Sequence, residues 1–396
     1  MTLRKAIWFI AAAETLFWAG LYYVFAALIV RWEAEFGWSK AELTAGITIS
    51  IVSAALISPF AGRLIDRGYG PKLLVGGGVI GALALIGVAF VESLPQFYGL
   101  WALIGASTGC CLYDPCFSFM VKVRGLEAKR AITIVTLLAG LAGTIAFPLC
   151  HMLSDAFGWR SAIFVFAGLI ILFGVPLMWK GTTYLSDNAL EEEPELTEDT
   201  PQEGRFNFLF GAKFWLLSIG FTLLYMNHVA ILNHLLLLLK EWEFDPELAV
   251  MAATFIGPMQ LLGRMSMMVL ERVASNTVVT ITCFVFVILG NVALMTSFSA
   301  PTMLALFIIL QGSGIGVLSI MKPMVTRDIL GGENFGLKNG AFSVPYQVGS
   351  AFSGLIGSLI WAMGDYNLML KVMIFWPAIG LVMFILAHLL ARKSPL

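Results

Sequence analysis

Three ionisable residues, Glu14, Asp114 and Arg264, stand inside long apolar runs of this 396-residue sequence. A charged side chain at mid-depth in a membrane helix costs at least about 2.5–3.5 kcal/mol, so such a residue is by default a functional candidate. A desolvated carboxyl can take up and release a proton, and a guanidinium can hold a carboxylate through two parallel hydrogen bonds. The three residues therefore point to proton transfer and anion binding.

Each of these roles has a structural alternative. Asp114 and Glu14 are candidates to carry a coupled proton, and Asp114 is the stronger of the two. Either carboxyl could instead be structural, hydrogen-bonded across helices or paired with Arg264 or Lys122. Arg264 could anchor a substrate carboxylate, or its long side chain could extend to the cytoplasmic interface beside Glu271.

The composition indicates what surrounds these residues. Hydrophobic residues make up 59% of the chain, charged residues only 12%, and the mean hydropathy is +0.87. A soluble domain carries roughly 25% charged residues, so the apolar excess predicts a protein that is solvated by lipid. The net charge of −1 gives no reason to expect nucleic acid as a partner. The five cysteines lie in apolar runs without zinc-like spacing to histidine, and we expect neither a metal site nor a cofactor.

Twelve apolar runs approach the roughly 20 residues that a helix needs to cross a bilayer. We predict helices 1 to 6 at residues 6–30, 43–61, 73–91, 97–121, 131–153 and 161–179, and helices 7 to 12 at residues 214–239, 248–270, 274–296, 301–325, 339–362 and 369–390. The two sets resemble each other weakly, and residues 105–115 in helix 4 are echoed by residues 312–323 in helix 10. The predicted fold is an all-α membrane protein with 12 transmembrane helices in two pseudo-symmetric six-helix bundles.

An acidic stretch at residues 182–205 separates the two sets of helices. It holds eight acidic side chains and no basic residue before Arg205. A run of like charge stays solvated. We therefore predict an N-terminal bundle at residues 1–180, a cytoplasmic linker at 181–207 and a C-terminal bundle at 208–396.

The basic residues predict the orientation in the membrane. If both termini lie on one side, 19 of the 24 Lys and Arg residues fall on that side. Short cytoplasmic loops carry the excess of Lys and Arg. We therefore expect both termini and the linker in the cytoplasm, and a multi-pass protein of the cell inner (plasma) membrane.

Residues 62–72 resemble the loop motif of the major facilitator superfamily, with a Gly, an Asp followed by Arg, a second Gly and a final basic residue. The N-terminal half further resembles the monocarboxylate and oxalate/formate branch of that superfamily. The matching pieces are residues 20–23, 35–39, Tyr113 with Pro115, 130–131 and 158–160. Two positions depart from this branch: Ala26 and Ala27 stand where it often has a basic residue, and Gln260 where it often has Asp.

The resemblance implies a central cavity lined by helices 1, 4, 7 and 10, with Glu14 and Asp114 pointing inward. Arg264 aligns with the Arg that binds the substrate carboxylate in this branch. Other polar or aromatic side chains are further candidates for substrate binding, although each alone is more typical of helix packing. These candidates are Tyr22, Tyr113, Asn227, His228, Gln260, Gln311 and Tyr346.

The motif loop itself is interpreted as a conformational gate. Asp66 can accept hydrogen bonds from the amides at a helix N-terminus and can pair with Arg67 or Arg130. Gly62 belongs to the same gate. We expect Glu271 and Arg272 to repeat this contact weakly in the second half.

These features predict a secondary transporter of a small organic anion, a monocarboxylate or related carboxylate, coupled to a proton by symport and acting as a monomer. No nucleotide-binding loop occurs in the sequence, so ATP is not the expected driver. No nucleophile, base and orienting group can be assembled, so we do not expect an enzyme. Two alternatives stay open: a proton-driven exporter of drugs or cations, and a receptor of the same fold that transports nothing.

Overall fold

A computed structural model describes residues 1–190, 206–270 and 274–393, and these residues contain long helices and no strand. The first six helices are α1 (Leu3–Phe36), α2 (Lys40–Leu64), α3 (Gly70–Val88), α4 (Leu94–Cys111 and Tyr113–Arg124), α5 (Ala128–Phe157) and α6 (Trp159–Asp187). The second six are α7 (Ala212–Glu241), α8 (Pro246–Leu270), α9 (Asn276–Thr296), α10 (Met303–Leu330), α11 (Phe335–Met363) and α12 (Tyr366–Lys393).

The helices confirm the predicted fold class. Nine stretches of the described chain are long and apolar enough to cross a membrane. One of them, Lys40–Val88, contains both α2 and α3, and α4 and α11 complete the twelve. The predicted division at residues 181–207 stays a prediction, because residues 191–205 lie outside the described part of the chain.

The turn between α1 and α2 shows how local sequence sets helix boundaries. Gly37 ends α1 with a φ of 68°, a left-handed conformation that glycine adopts without a Cβ clash. Ser39 then caps α2: its hydroxyl accepts from the amide of Glu42, and the Glu42 carboxylate accepts from the amide of Ser39. Two orphan amides of the helix end are thus satisfied by two side chains.

The first compact unit consists of Met1–Glu198 together with Glu333–Val344, which is the start of α11. Within it α1 packs on α5 and α6, and α4 packs on α2 and α3. Small residues let these helices approach closely. A Cβ added to Gly109 of α4, for example, would lie 2.7 Å from the carbonyl oxygen of Ala54 in α2.

The second compact unit consists of Asp199–Gly332 and Pro345–Leu396. Here α7 packs on α12, and α10 packs on α8 and α9. A Cβ added to Gly263 of α8 would lie 2.5 Å from the carbonyl oxygen of Ser313 in α10. In both units the first helix thus packs on the last, and the fourth packs on the second and third.

Helices of the first unit depart from regular α geometry at several points. A π-helical turn interrupts α1 at Ala19–Tyr23, and another interrupts α6 at Ile170–Gly174. α4 breaks at Leu112, whose ψ is −162°. α5 is interrupted at Gly140 and Leu141. These departures lie beside the side chains that the sequence singles out.

Candidate functional site

Glu14 lies in the core of the first unit. It is 0% exposed, and the Trp18 indole and the Cys116 thiol lie beside its carboxyl. Neither Glu14 oxygen reaches a hydrogen-bond partner of normal geometry among the described residues, and the Trp18 Nε1–H also lacks one. Cys111 approaches Glu14 as well. Glu14 thus lies against α4 at the place where that helix is broken.

Asp114 lies in the first turn of the second segment of α4, directly after the break, and is half-buried. Its backbone carbonyl accepts from the Ser118 hydroxyl at 2.8 Å and from the Asn339 amide nitrogen at 3.4 Å. The same Asn339 nitrogen donates to the Ser118 oxygen at 2.9 Å. The backbone at Asp114 is therefore connected to the start of α11.

Lys122, one of the partners considered for Asp114, has a different role in the structure. Its ammonium group donates to the backbone carbonyls of Ile65, at 2.7 Å, and of Asp66. These carbonyls belong to the turn Ile65–Tyr69 between α2 and α3. Lys122 therefore braces this turn against α4.

The same turn contacts the N-terminus of α11. The Asp66 carboxylate accepts from the amides of Gly336 and Leu337, each at 2.8 Å. Amides in the first turn of a helix lack intrahelical acceptors, and the helix dipole favours an anion there. The Asp66 carboxylate therefore caps α11.

The contact between α2 and α11 is made of backbone against backbone. A Cβ added to Gly62 would overlap the carbonyl oxygen of Gly336, and one added to Gly340 would overlap that of Ser58. Only glycine fits at these positions without displacing the neighbouring helix. Gly340 was not among the predicted gate residues, because its partner is 282 positions away in the sequence.

The predicted ion pair from Asp66 to Arg67 or Arg130 is absent from the described residues. Both arginines are exposed. The cations that act on Asp66 are Lys122 and Lys338. A second contact of this kind was predicted at Glu271 and Arg272, which lie outside the described residues.

Arg264 is buried in the second unit, with an exposed fraction of 9%. Its Nε donates to the backbone carbonyl of Gly316 in α10 at 3.4 Å. Gln260, one turn earlier in α8, is half-buried, and its own backbone lies against Gly316. The close approach of α8 to α10 thus brings the guanidinium against the backbone of α10.

Lys322 is a buried cation that the sequence did not single out. It is 5% exposed within α10, and its ammonium donates to the Tyr346 hydroxyl at 2.6 Å. The Tyr346 ring stacks near Tyr225 at 5.0 Å. Lys322 is one of the 19 basic residues that the charge distribution assigns to the cytoplasmic side. One signal could have found it: Lys322 precedes Pro323 just as Asp114 precedes Pro115 in the echoed segment of α4.

Asn227 is fully buried and links three helices. Its amide and that of Asn291 both donate to the carbonyl of Met373 in α12, at 2.7 and 2.8 Å. This carbonyl lacks its usual partner because Pro377, four residues on, has no N–H. Asn291 was not predicted, since a single Asn in the apolar run of α9 gives no signal of its partner.

The other predicted polar and aromatic residues fall into two groups. His228 and Gln311 contact each other in the second unit, with 3.3 Å between Nδ1 and Nε2. Tyr22 and Tyr113 both contact Trp18 in the first unit, with ring centroids 5.1 and 4.7 Å away. Among the described residues, no group of three or more His, Cys, Asp or Glu side chains is arranged to hold a metal ion.

Comparisons with known proteins agree with this architecture. The family model described as Major Facilitator Superfamily matches residues 7–289. Monocarboxylate transporter 13 of Rattus norvegicus is 21% identical, with 79% of this chain and 72% of the relative aligned. Multidrug resistance protein MdtL of Klebsiella pneumoniae is also 21% identical, with 89% and 88% aligned. An uncharacterized MFS-type transporter of Bacillus subtilis, YuxJ, is 34% identical, but only 32% of this chain and 34% of that relative are aligned.

Two solved structures share the fold at low sequence identity. The E. coli fucose:proton symporter FucP superposes with a TM-score of 0.70 at 14% identity, covering 96% of this chain and 97% of the other. The human organic anion transporter MFSD10 superposes with a TM-score of 0.68 at 13% identity, covering 98% and 100%. At such identities the likeness shows the fold alone.

Proposed function

Because this chain belongs to the Major Facilitator Superfamily, we propose that it carries a small organic anion, a monocarboxylate or related carboxylate, together with a proton by alternating access. The observation that carries the proposal is the buried guanidinium of Arg264. A planar fork of N–H donors in a low-dielectric site suits bidentate binding of a carboxylate. The similarity to a protein named as a monocarboxylate transporter supports this substrate class.

Lys322 adds a second positive charge to the same unit. Its ammonium donates to the Tyr346 hydroxyl and also lies over the ring of Tyr346, with Nζ 4.1 Å from the ring centroid. Two buried cations on α8 and α10 favour an anionic ligand over a cationic one. His228, Gln311 and Asn227 are buried in the same unit and contribute to its polar core.

Glu14 and Asp114 are the proposed proton carriers. Burying a carboxyl without a hydrogen bond costs much more when it is an anion than when it is a neutral acid. Whether the carboxyl holds a proton can therefore follow its access to water. Glu14 is fully buried, and its carboxyl oxygens make no hydrogen bond of normal geometry among the described residues. Asp114 is half-buried at the break in α4, where a change in the backbone would alter its exposure.

Asp66, Gly62 and the start of α11 form the proposed gate, to which Arg67 and Arg130 contribute positive charge on the exposed side. Breaking the two amide–carboxylate bonds would free α11 from α2. We further propose that the protein is a monomer in the inner membrane with both termini in the cytoplasm, on the evidence of its Lys and Arg distribution.

Replacement of Arg264 tests the substrate class directly. Arg264→Lys keeps the positive charge but removes the fork, so we expect carboxylate affinity to fall at least about tenfold, the equivalent of one strong hydrogen bond. Ligand-induced thermal stabilisation of purified protein measures this affinity. Lys213→Arg, at an end of α7, serves as a control with no expected change. Equal affinity in Arg264→Lys and wild type would remove Arg264 from the site.

A proton-driven exporter of drugs or organic cations is the second candidate. The buried Glu14 carboxyl and the similarity to a protein named as a multidrug resistance protein favour it. The same thermal measurement separates the two functions, because only a bound ligand stabilises the folded state. Stabilisation by tetraphenylphosphonium and not by any carboxylate would establish the exporter in place of the anion transporter.

A further inference from the structure

The short stretch before α7 exposes a large amount of aromatic surface. Phe206 and Phe210 are 46% and 89% exposed, and Trp215, in the first turn of α7, is 47% exposed. Asn207–Phe210 forms a 3₁₀ turn that leads directly into the helix. Phe206–Phe210 together with Trp215 are here called the aromatic turn. Contiguous exposed apolar surface of this kind marks a contact with a protein or a membrane.

The aromatic turn is fixed to α7 by side-chain contacts. The Trp215 indole Nε1–H donates to the backbone carbonyl of Leu209 at 2.7 Å. The ring of Phe208 packs on that of Phe214, with 5.2 Å between the centroids, and Phe214 is buried in the second unit. These contacts hold the turn against the start of the helix, so Phe210 and Trp215 lie near the same end of α7.

Trp215 lies at the depth expected of the membrane interface. Ala212–Glu241 is long and apolar enough to cross a membrane, and Trp215 lies about 4.5 Å from its start at 1.5 Å per residue. Tryptophan is enriched at the level of the lipid headgroups. The first unit has the same feature near the start of its own first helix, where Trp8 is 44% exposed. Each unit thus begins its first helix with an exposed indole at interface depth.

The exposed rings continue an apolar face of α7. Ile219, one turn after Trp215, is 38% exposed, and residues four apart share a face of a helix. The other face, with Phe214, Leu217 and Phe221, is buried within the second unit. An apolar face that continues along a membrane-spanning helix suits lipid better than a water-soluble protein partner.

The backbone of the aromatic turn also suits the interface. The amide of Leu209 donates to the Phe206 carbonyl at 3.0 Å. The amide of Gly211 donates to the Phe208 carbonyl at 3.1 Å. Unpaired backbone groups are costly away from water, and the bond from the Trp215 indole means that this ring needs no headgroup acceptor. The turn can therefore enter the edge of the acyl region without leaving these donors unpaired.

We propose that the aromatic turn is a lipid anchor, whose rings enter the boundary between headgroups and acyl chains at the membrane surface where α7 begins. The inference goes beyond the proposed function and depends on neither the anion nor the proton. The turn directly follows the acidic stretch at residues 182–205, which an anionic membrane surface repels. Uncharged rings hold the chain at a surface that acidic side chains avoid. The anchor thus sets the point at which the chain enters the bilayer.

The test measures the depth of a nitroxide spin label beside the turn, in protein reconstituted into phosphatidylcholine vesicles. The label is attached to Ala212→Cys, an exposed position. The five native cysteines are buried or half-buried, and protein labelled without this substitution provides the background. Oxygen concentrates in lipid, whereas a nickel chelate stays in water. We expect the label to collide mainly with oxygen, and Phe210→Ser to make it collide mainly with the nickel chelate.

Met363→Ser is the matched control, because Met363 is 80% exposed as the last residue of α11, and it should leave both collision rates unchanged. Frequent collision with the nickel chelate before any change at Phe210 would place the turn in water. Collision with neither probe would show that protein covers it. Either result, or unchanged collision rates in Phe210→Ser, would overturn the anchor.

Salt separates an apolar anchor from an electrostatic one. The Debye length falls from about 10 Å at 0.1 M salt to about 3 Å at 1 M, which weakens attraction between charges but not the burial of rings. We expect the collision rates to be the same at the two salt concentrations, and the same after anionic lipid is added to the vesicles. Movement of the label into water at high salt would overturn the apolar anchor and assign the contact to Lys213.

Discussion

The prolines of α4 and α12 show two ways in which these units accommodate a residue that cannot donate a backbone hydrogen bond. α4 breaks at Leu112, three residues before Pro115, and starts again at Tyr113. α12 runs through Pro377 as one helix, and Asn227 and Asn291 donate to the carbonyl that the proline leaves without its usual partner. A break redirects neighbouring side chains, whereas the two amide donors replace the hydrogen bond that the proline removes.

The same contrast extends to the charged residues of the two units. Asp114 lies at the broken helix, where Tyr113 and the buried Glu14 are also found. Lys322 precedes Pro323 in the unbroken α10, the helix whose Gly316 carbonyl accepts from Arg264. The first unit thus combines acids with irregular backbone, and the second combines bases with regular helices over its described residues. We infer that the first unit senses the proton and the second holds the anion.

The largest expected effect comes from removing the acid at the break. A gradient of two pH units can drive about 100-fold accumulation of an anion that enters with one proton. Asp114→Asn keeps the shape of the side chain but cannot titrate, so we expect accumulation in proteoliposomes to fall to about the level without a gradient. Accumulation by Glu14→Gln is measured in the same assay. Counterflow of substrate, which needs no proton, should survive.

Lys322 on α10 provides the control variant for this experiment. Lys322→Gln should weaken substrate binding but leave the pH-driven accumulation ratio unchanged. Full accumulation by both Asp114→Asn and Glu14→Gln would contradict the division of roles between the units. Loss of the pH dependence in Lys322→Gln would also contradict this division of roles, because the proton-coupling group would then lie in the second unit.

A smaller effect is expected at the contact between α2 and the start of α11. Overpacking a tight site costs about 1–3 kcal/mol. Gly62→Ala should therefore weaken the closed contact by that amount, since the new methyl would overlap Gly336. Spin labels at Arg67 and Glu333, both exposed, report the distance across this contact.

Gly76→Ala is the control for the gate. No atom lies within 4 Å of a Cβ added at Gly76, so the distance distribution and the transport rate should match wild type. A Gly62→Ala protein with an unchanged distance distribution and unchanged transport would show that this contact does not control the conformational cycle.

Hydropathy was enough to predict the twelve helices, because the solvent decides which runs can span a membrane. That Asp66 accepts from the amides of a helix N-terminus could also be predicted, since its loop motif is local. Its partners Gly336 and Leu337 could not, because they are about 270 positions away and their amides carry no signal in the sequence. The ion pairs predicted to Arg67 and Arg130 are absent from the described residues, because both arginines are exposed and the cations that act on Asp66 are Lys122 and Lys338.

The site residues divide in the same way. Glu14 and Arg264 could be found from sequence because a charge in an apolar run stands out. Lys322 was missed because it was counted only among the 19 basic residues of the predicted cytoplasmic side, whereas the packing of α10 buries it. Asn291 gives no signal in the sequence. Its role depends on the Met373 carbonyl, which lacks its usual partner because of Pro377 and lies 82 positions from Asn291 along the chain.

The smallest expected effect tests why α12 stays unbroken. Asn227→Ala removes one of two donors to the Met373 carbonyl and should cost about 1 kcal/mol, or about 2–4 °C in melting temperature for a unit of this size. Pro377→Ala restores a backbone N–H that can satisfy the same carbonyl. If the asparagine compensates for the proline, Asn227→Ala should cost clearly less in the Pro377→Ala background, as a double-mutant cycle measures. Asn367→Ala, on the exposed first turn of α12, should have no effect in either background. An equal cost of Asn227→Ala in both backgrounds would show that Asn227 stabilises the unit by packing, and the contrast between the two prolines would then lose its explanation.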